Sequence, residues 1–190
     1  KIIKNHTPRV EDSLILTKPL GSGIISTALK QRIIKEEEAQ QAIAWMTRLN
    51  RISDSILSLS VHSMTDITGF GFIGHLSEML TDSTLVADIY VDQVPTFNQS
   101  RELSRKNIVP NGSKKNKSAF SCGVKKKDDL DSAIEMILYD AQTSGGLLLA
   151  VGKEDAERTL QLLREQGFSE SQIVGQIRKR SQGEKKIFLI

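Results

Sequence analysis

Three short segments combine hydroxyl side chains, a charged group and glycines in a pattern suited to holding an anion. They are Thr17-Lys18-Pro19-Leu20-Gly21-Ser22-Gly23, Thr65-Asp66-Ile67-Thr68-Gly69-Phe70-Gly71 and Gln142-Thr143-Ser144-Gly145-Gly146. Glycine tolerates positive φ and lets backbone N–H groups approach an anion closely, while a lysine or a helix start supplies positive charge. A single turn of this kind also reads as a tight connection. Three of them in a chain with 13 glycines point to a phosphate-bearing ligand, with Lys18, Gly21, Ser22, Gly23, Thr65, Thr68, Gly69, Thr143, Ser144, Gly145 and Gly146 as the residues lining its cleft. Asp66 offers a carboxylate oxygen to a hard cation bridging phosphates. From position alone it reads first as a helix N-cap, and one carboxylate cannot hold Mg²⁺ unaided.

Other reactive residue types carry less. His75, on the helix expected after the second turn, reads as a packed or hydrogen-bonded histidine before a base. Trp45 and Met46 read as core. Cys122 lies among lysines, where a thiolate is favoured, yet no partner is placed beside it.

The elements that position these turns follow from periodicity. An apolar run over 12–18, closed by Pro19 and Gly21, reads as a strand into a turn, with a helix from 24 to 30. Residues 36–50 read as a helix, with Glu36, Glu37 and Glu38 at its positive end and Ala39, Ile43, Met46 and Leu49 at helical spacing. A shorter helix follows over 52–60, a strand over 61–65 and a helix carrying Phe72, Ile73, Leu76, Met79 and Leu80. A strand over 85–94, a brief helix over 99–106, a helix over 130–139, a strand over 147–151 and a helix over 154–166 complete the interior. Residues 174–180 and 185–190 read as a closing hairpin. Residues 107–127, bearing Pro110, Gly112 and Gly123, show little periodicity and read as a long loop. Strands and helices interleave, so the fold class is α+β: a layered mixed β-sheet flanked by helices.

Composition bounds the rest. The 190 residues carry 26 Lys+Arg and 23 Asp+Glu, a formal charge of +3, and the pI is about 9.0. The basicity is local: residues 105–127 hold eight cations (Arg105, Lys106, Lys114, Lys115, Lys117, Lys125, Lys126 and Lys127) and no acid, leaving 18 cations against 23 acids elsewhere. Nucleic-acid binding would want interleaved aromatics, and the stretch offers only Phe120. A single Cys excludes an intrachain disulfide framework. No run approaches the ~20 apolar residues of a membrane span, and no signal peptide is apparent. The default compartment is the cytoplasm. A start at Lys1-Ile2-Ile3 without Met suggests a piece of a longer chain.

Taken in order, three motifs resemble the C-terminal half of the selenophosphate synthetase (selenide, water dikinase) family. They are Leu16-Thr17-Lys18-Pro19-Leu20-Gly21-Ser22-Gly23, Thr65-Asp66-Ile67-Thr68-Gly69-Phe70-Gly71-Phe72-Ile73-Gly74-His75-Leu76 and Asp140-Ala141-Gln142-Thr143-Ser144-Gly145-Gly146-Leu147-Leu148. The resemblance covers nearly the whole chain, through Ile173-Val174-Gly175 to Gly183. It implies an α+β domain like the C-terminal domain of aminoimidazole ribonucleotide synthetase, spanning 1–190, preceded in the whole enzyme by an ATP-binding domain. It further implies a homodimer that converts ATP, selenide and water into selenophosphate, AMP and phosphate, with Asp66 as a magnesium ligand. The family's reactive Cys or selenocysteine, its neighbouring Lys and the other Asp ligands belong to the other half, so no residue here is assigned as nucleophile. Ala141 stands where the family commonly has Pro, and Asn111-Gly112 where a Gly pair is expected. Two alternatives stand beside this: another ATP-dependent synthetase or kinase of the same superfamily, and a module binding tRNA or an acidic partner through 105–127.

Overall fold

A computed structural model describes residues 2–190. The strands are β1 (Ser13–Leu16), β2 (Val61–Asp66), β3 (Leu85–Ile89), β4 (Val124–Lys126), β5 (Leu147–Val151), β6 (Gln172–Lys179) and β7 (Ile187–Leu189). The helices are α1 (Ser22–Lys30), α2 (Glu36–Thr47), α3 (Asp54–Leu57), α4 (Gly71–Met79), α5 (Asn98–Arg105), α6 (Asn111–Phe120), α7 (Ser132–Leu138) and α8 (Ala156–Glu165). The strands form one mixed sheet in the order β2-β5-β1-β6-β3-β7-β4. β5 runs antiparallel to both its neighbours, β2 and β1, whereas β7 runs parallel to β3 and β4.

Side chains alternate across a strand, and the buried residues divide accordingly. Leu14 and Leu16 of β1 and Leu148 and Ala150 of β5 join Ile24 of α1, Phe72 and Leu76 of α4, Leu103 of α5 and Ile137 of α7 in one core. Ile15, Leu147, Leu149 and Val151 join Ile56 of α3, Leu160 and Leu163 of α8 and Phe168 in a second. The sheet is thus covered by helices on both faces, the α+β layering expected of the sequence.

Five expectations are corrected. Residues 107–127 are not a loop: they form α6, a short 3₁₀ turn over Ser121–Gly123 and the edge strand β4. α6 escapes hydrophobic periodicity because two of its inward residues, Ser113 and Asn116, are polar. The closing hairpin is absent, because β3 lies between β6 and β7: after β6 the chain crosses over, and Lys186 N–H bonds to Gly123 O while its carbonyl accepts from Ala87 N–H. The strand expected over 85–94 ends at Ile89, followed by a 3₁₀ turn over Val91–Gln93 that buries Val91. α2 ends at Thr47 with Arg48 extended, and the helix expected over 52–60 is the single turn α3.

Candidate active-site surface

The strand order brings the three glycine turns to one edge of the sheet. The C-terminal ends of β1 and β2 flank the start of β5, with Asp66 opposite Leu147 and Leu16 opposite Leu148. Backbone bonds continue past the strands: Thr17 N–H to Leu147 O, Ile67 N–H to Gly146 O and Gln142 N–H to Thr68 O. Close approach explains the glycines of the third turn. A Cβ on Gly145 would lie 2.2 Å from Ile67 O, and one on Gly146 would lie 2.7 Å from Lys18 N.

The first turn is turned inward. Gly21 has φ of 109°, and the amides of Gly21 and Ser22 both donate to Gln142 Oε1 at 3.0 and 3.2 Å. The amides of Gly23 and Ile24 donate to Asp140 Oδ2 at 3.0 and 3.1 Å. The positive end of α1 is therefore filled by a carboxylate of the same chain. Asp140 is fully buried, and burial raises its pKa to about 6, against the opposing hydrogen bonds from Ser113, Ile24, Gln142 and Gly23. Gly21, Ser22 and Gly23, expected to line a phosphate cleft, are buried with their amides occupied.

Lys18 differs from expectation in the same way. It is 2% exposed, and its Nζ donates to Arg48 O at 2.6 Å and to Ser144 O at 3.3 Å. Burial, reinforced by the nearby Arg48 charge, pushes its pKa down. Lys18 braces the third turn from beneath, holding the carbonyl of Ser144, whose φ of 48° is left-handed. Asn50 Nδ2 donates to Gly145 O at 2.8 Å and supports the same turn.

Asp66, Gly69, Thr143 and Ser144 are exposed, and Thr65 and Thr68 half-buried. Among the described residues Asp66's carboxylate has no hydrogen-bond or ion-pair partner, so it is not the N-cap that position suggested. It borders a groove of about 710 Å³ lined also by Lys4, His6, Asn50 and Thr65. Gly69 is the open glycine of the set: a Cβ there would meet nothing within 4 Å. Among the described residues no three His, Cys, Asp or Glu side chains cluster to hold a metal. A free, exposed carboxylate fits one ligand of a Mg²⁺ ion whose remaining ligands come from elsewhere.

Sequence reasoning missed Asp140 and Gln142 as functional parts. The signal was available: two side-chain acceptors stand just before and at the start of the third turn, and four amide donors open α1. It also missed α6 as the cover of these loops. Ser113 Oγ donates to Asp140 Oδ1 at 2.8 Å, and Asn116 Nδ2 donates to Gly69 O at 2.8 Å and Tyr139 O at 3.1 Å.

Five of the eight cations of the basic stretch are paired, by four acids, while Lys114, Lys115 and Lys125 have no acidic partner among the described residues. Arg105 pairs with Asp131 at 2.5 Å, Lys106 with Glu102 at 2.6 Å and Lys127 with Asp92 at 3.5 Å. Lys117 and Lys126 both meet Glu135, at 3.0 and 2.8 Å. Burial pushes Glu135 up, yet the two lysines hold its pKa below the usual range on balance. Cys122 is exposed and free. No helix among the described residues is long and apolar enough to cross a membrane.

The model of the family described as AIR synthase related protein, C-terminal domain, matches residues 9–187. Curated relatives named selenide, water dikinase include one from Clostridioides difficile, 36% identical over 93% of this chain and 51% of the relative. Another, from Aeromonas hydrophila, is 40% identical over 95% of this chain and 51% of the relative. The chain spans about half the length of the curated relatives it matches. Among solved structures, E. coli hydrogenase maturation protein HypE superposes with a TM-score of 0.63 at 15% identity, over all of this chain and 49% of that one. Thiamine monophosphate kinase from Aquifex aeolicus gives 0.59 at 17%, over 98% and 52%. At these identities the structural likeness speaks for the fold alone.

Proposed function

We propose, from the premise that the chain belongs to the AIR synthase related protein, C-terminal domain, family, that residues 1–190 are the C-terminal domain of a selenide, water dikinase. The whole enzyme would convert ATP, selenide and water into selenophosphate, AMP and phosphate, as a homodimer using Mg²⁺. The observation that carries this reading is the Asp66 turn: an unpartnered, exposed carboxylate on a rigid strand end, within a chain 32–40% identical to proteins of that name.

In this reading Asp66 supplies one oxygen ligand to Mg²⁺. When bound, the ion offsets negative charge on the phosphates as phosphoryl groups transfer. Thr65, Thr68, Gly69, Thr143 and Ser144 line the phosphate side of the cleft. Gly145 lets the second and third turns meet, Gly146 lets the first and third meet, and Lys18 fixes the third from below. Gly21, Ser22 and Gly23 act behind the surface, by locking α1 to Asp140 and Gln142. Charge stabilisation needs ligands from both halves of the enzyme, so the 190-residue chain alone turns over no ATP.

The test is the reaction of the full-length protein. With ATP, Mg²⁺ and selenide it should yield AMP, phosphate and selenophosphate, read by ³¹P NMR. ADP as the only nucleotide product, without selenophosphate, would overturn the reading in favour of another kinase of the superfamily. A Cys or selenocysteine followed closely by Lys in the upstream sequence is expected. The ion pairs of 105–127 give no support to a tRNA-binding module.

A further inference from the structure

Three side chains beside the Asp66 turn stand in series. Thr68 Oγ1 lies 3.1 Å from His75 Nε2, and His75 Nδ1 lies 3.1 Å from Glu78 Oε2. His75 and Glu78 share one face of α4 at i,i+3, and Thr68 belongs to the turn that enters that helix. The imidazole is 7% exposed. The Phe70 ring lies 5.6 Å from it, and Phe120 of α6 lies 6.1 Å from Phe70. Gly74 permits this cover, because a Cβ there would come within 2.6 Å of Phe70 Cβ and 2.9 Å of the Phe120 ring.

The partners set the proton positions. An ionised carboxylate only accepts, so Glu78 requires the proton of the neutral imidazole on Nδ1. Nε2 is then the acceptor, and the Thr68 hydroxyl must donate to it. That leaves the Thr68 oxygen lone pairs free on a half-exposed residue in the turn that carries Asp66. Hydroxyl, imidazole and carboxylate in this order form the arrangement by which proteins remove a proton from an oxygen. The groups facing the imidazole are Glu78 from α4 and Thr68 from the turn, with the rings of Phe70 and Phe120 over it; no second cation or acid is in contact with it among the described residues.

We propose that Thr68, His75 and Glu78 form a proton relay that accepts the proton of the water consumed in the reaction. This rests on the functional reading above. A water hydrogen-bonded to Thr68 Oγ1 gives that oxygen a proton while the Thr68 proton moves to His75 Nε2. One water O–H bond breaks, the Thr68 O–H bond is remade and an N–H bond forms. The electron pair left on the water oxygen attacks phosphorus, and the phosphorus–oxygen bond to the leaving phosphate or nucleotide group breaks. The Glu78 carboxylate offsets the imidazolium charge, and the imidazolium returns its proton to solvent after product leaves.

The experiment uses the full-length protein that carries this chain. Thr68→Val should lower kcat for selenophosphate formation about 100-fold, the low end of general acid–base contributions, and Thr68→Ser should restore it to within about fivefold. His75→Gln places an oxygen that accepts from Thr68 but takes no proton, so kcat should fall about 100-fold while the ATP dissociation constant stays within about threefold. Glu78→Gln, which keeps an acceptor and removes the charge, should cost about tenfold, and it serves where His75→Gln fails to fold. Imidazole ¹⁵N NMR of the parent should show the neutral ring protonated on Nδ1. A proton on Nε2, or a His75→Gln or Glu78→Gln enzyme within about threefold of the parent, would overturn the relay. The two failures separate: a parent that makes no selenophosphate sinks the functional reading and the relay's role in it, whereas a normal parent with a protonated Nε2 sinks the relay alone.

Discussion

At the start of α1 the amides of Gly21, Ser22, Gly23 and Ile24 are all taken by Gln142 and Asp140. Across β5, the turn after β2 leaves Asp66 and Gly69 exposed, with open space around Gly69. The two turns are built from similar residue types. What separates them is whether another part of the chain supplies the acceptors. A glycine turn at a helix start is an anion site only if no internal carboxylate reaches it first. One turn is therefore architecture and the other is free to meet a ligand, and the largest test of this difference is Asp66 itself. Asp66→Asn in the full-length enzyme should lower AMP formation by about a thousandfold, or about 4 kcal/mol. Because the side chain is exposed and unpartnered, the melting temperature should not move. A variant that melts early, or one that keeps its activity, would break the contrast.

Glycine substitutions sharpen it next. A Cβ at Gly23 would sit 2.0 Å from Ala141 O, and at Gly145 2.2 Å from Ile67 O. Both neighbours are backbone and cannot swing aside. Gly23→Ala and Gly145→Ala should each cost more than about 3 kcal/mol in urea unfolding, at or beyond the upper end of overpacking penalties. Gly69→Ala should leave stability within about 0.5 kcal/mol and instead raise the KM for ATP about tenfold, a fold-change worth about 1.4 kcal/mol. Equal stability losses at positions 23 and 69 would show that the turns do not differ.

How far this was legible in the sequence follows from which partners are local. Continuous apolar runs in residues 13–16 and 147–151 and helical spacing from Phe72 to Met79 reveal β1, β5 and α4, because each element buries its own apolar residues. α6 is invisible to that argument, since Ser113 and Asn116 dock by hydrogen bonds to residues 27 and 47 positions away. Adjacency in sequence suggests that β6 pairs with β7, but β3 takes the place between them, a choice made by distant strands. The glycine turns are readable as turns, and Asp66 through its motif. Whether an amide in them is free depends on Asp140, which is 117 positions from Gly23. Lys18 reads as a cation lining the phosphate cleft until its burial beside Arg48 O is known.

Asp140 gives a further test of the closed turn through pH. Its pKa is raised from 3.8 to about 6, so the folded state holds a proton that the unfolded chain releases between those values. Stability from this group is fully present below about pH 4 and is lost as pH rises through about 6, a change of about 3 kcal/mol at 1.36 kcal/mol per unit. Asp140→Asn removes that component. The difference in unfolding free energy between parent and variant, followed from pH 4 to 7, should therefore slope, and a flat difference would mean that the carboxylate is not buried against α1. Comparing the two proteins cancels the opposite trend from carboxylates such as Glu184, whose bonds to Arg178 hold it at about 2.

The smallest effect belongs to the basic stretch, where the same question of internal partners decides the outcome. Lys106 and Glu102 are 60% and 70% exposed, so water competes for both charges and the pair adds little to stability. Lys106→Ala should leave the urea midpoint almost unchanged. Glu135 differs, because it is 8% exposed and holds Lys117 and Lys126 together. Glu135→Gln releases two cations of the stretch without exposing new apolar surface. If pairing is what keeps this surface from attracting polyanions, the parent should give no gel shift with tRNA at low salt, and Glu135→Gln should give at most a weak shift that added salt abolishes. A salt-sensitive shift already present in the parent would place a ligand on the segment despite its acids, and with it the α6 cover over the two turns.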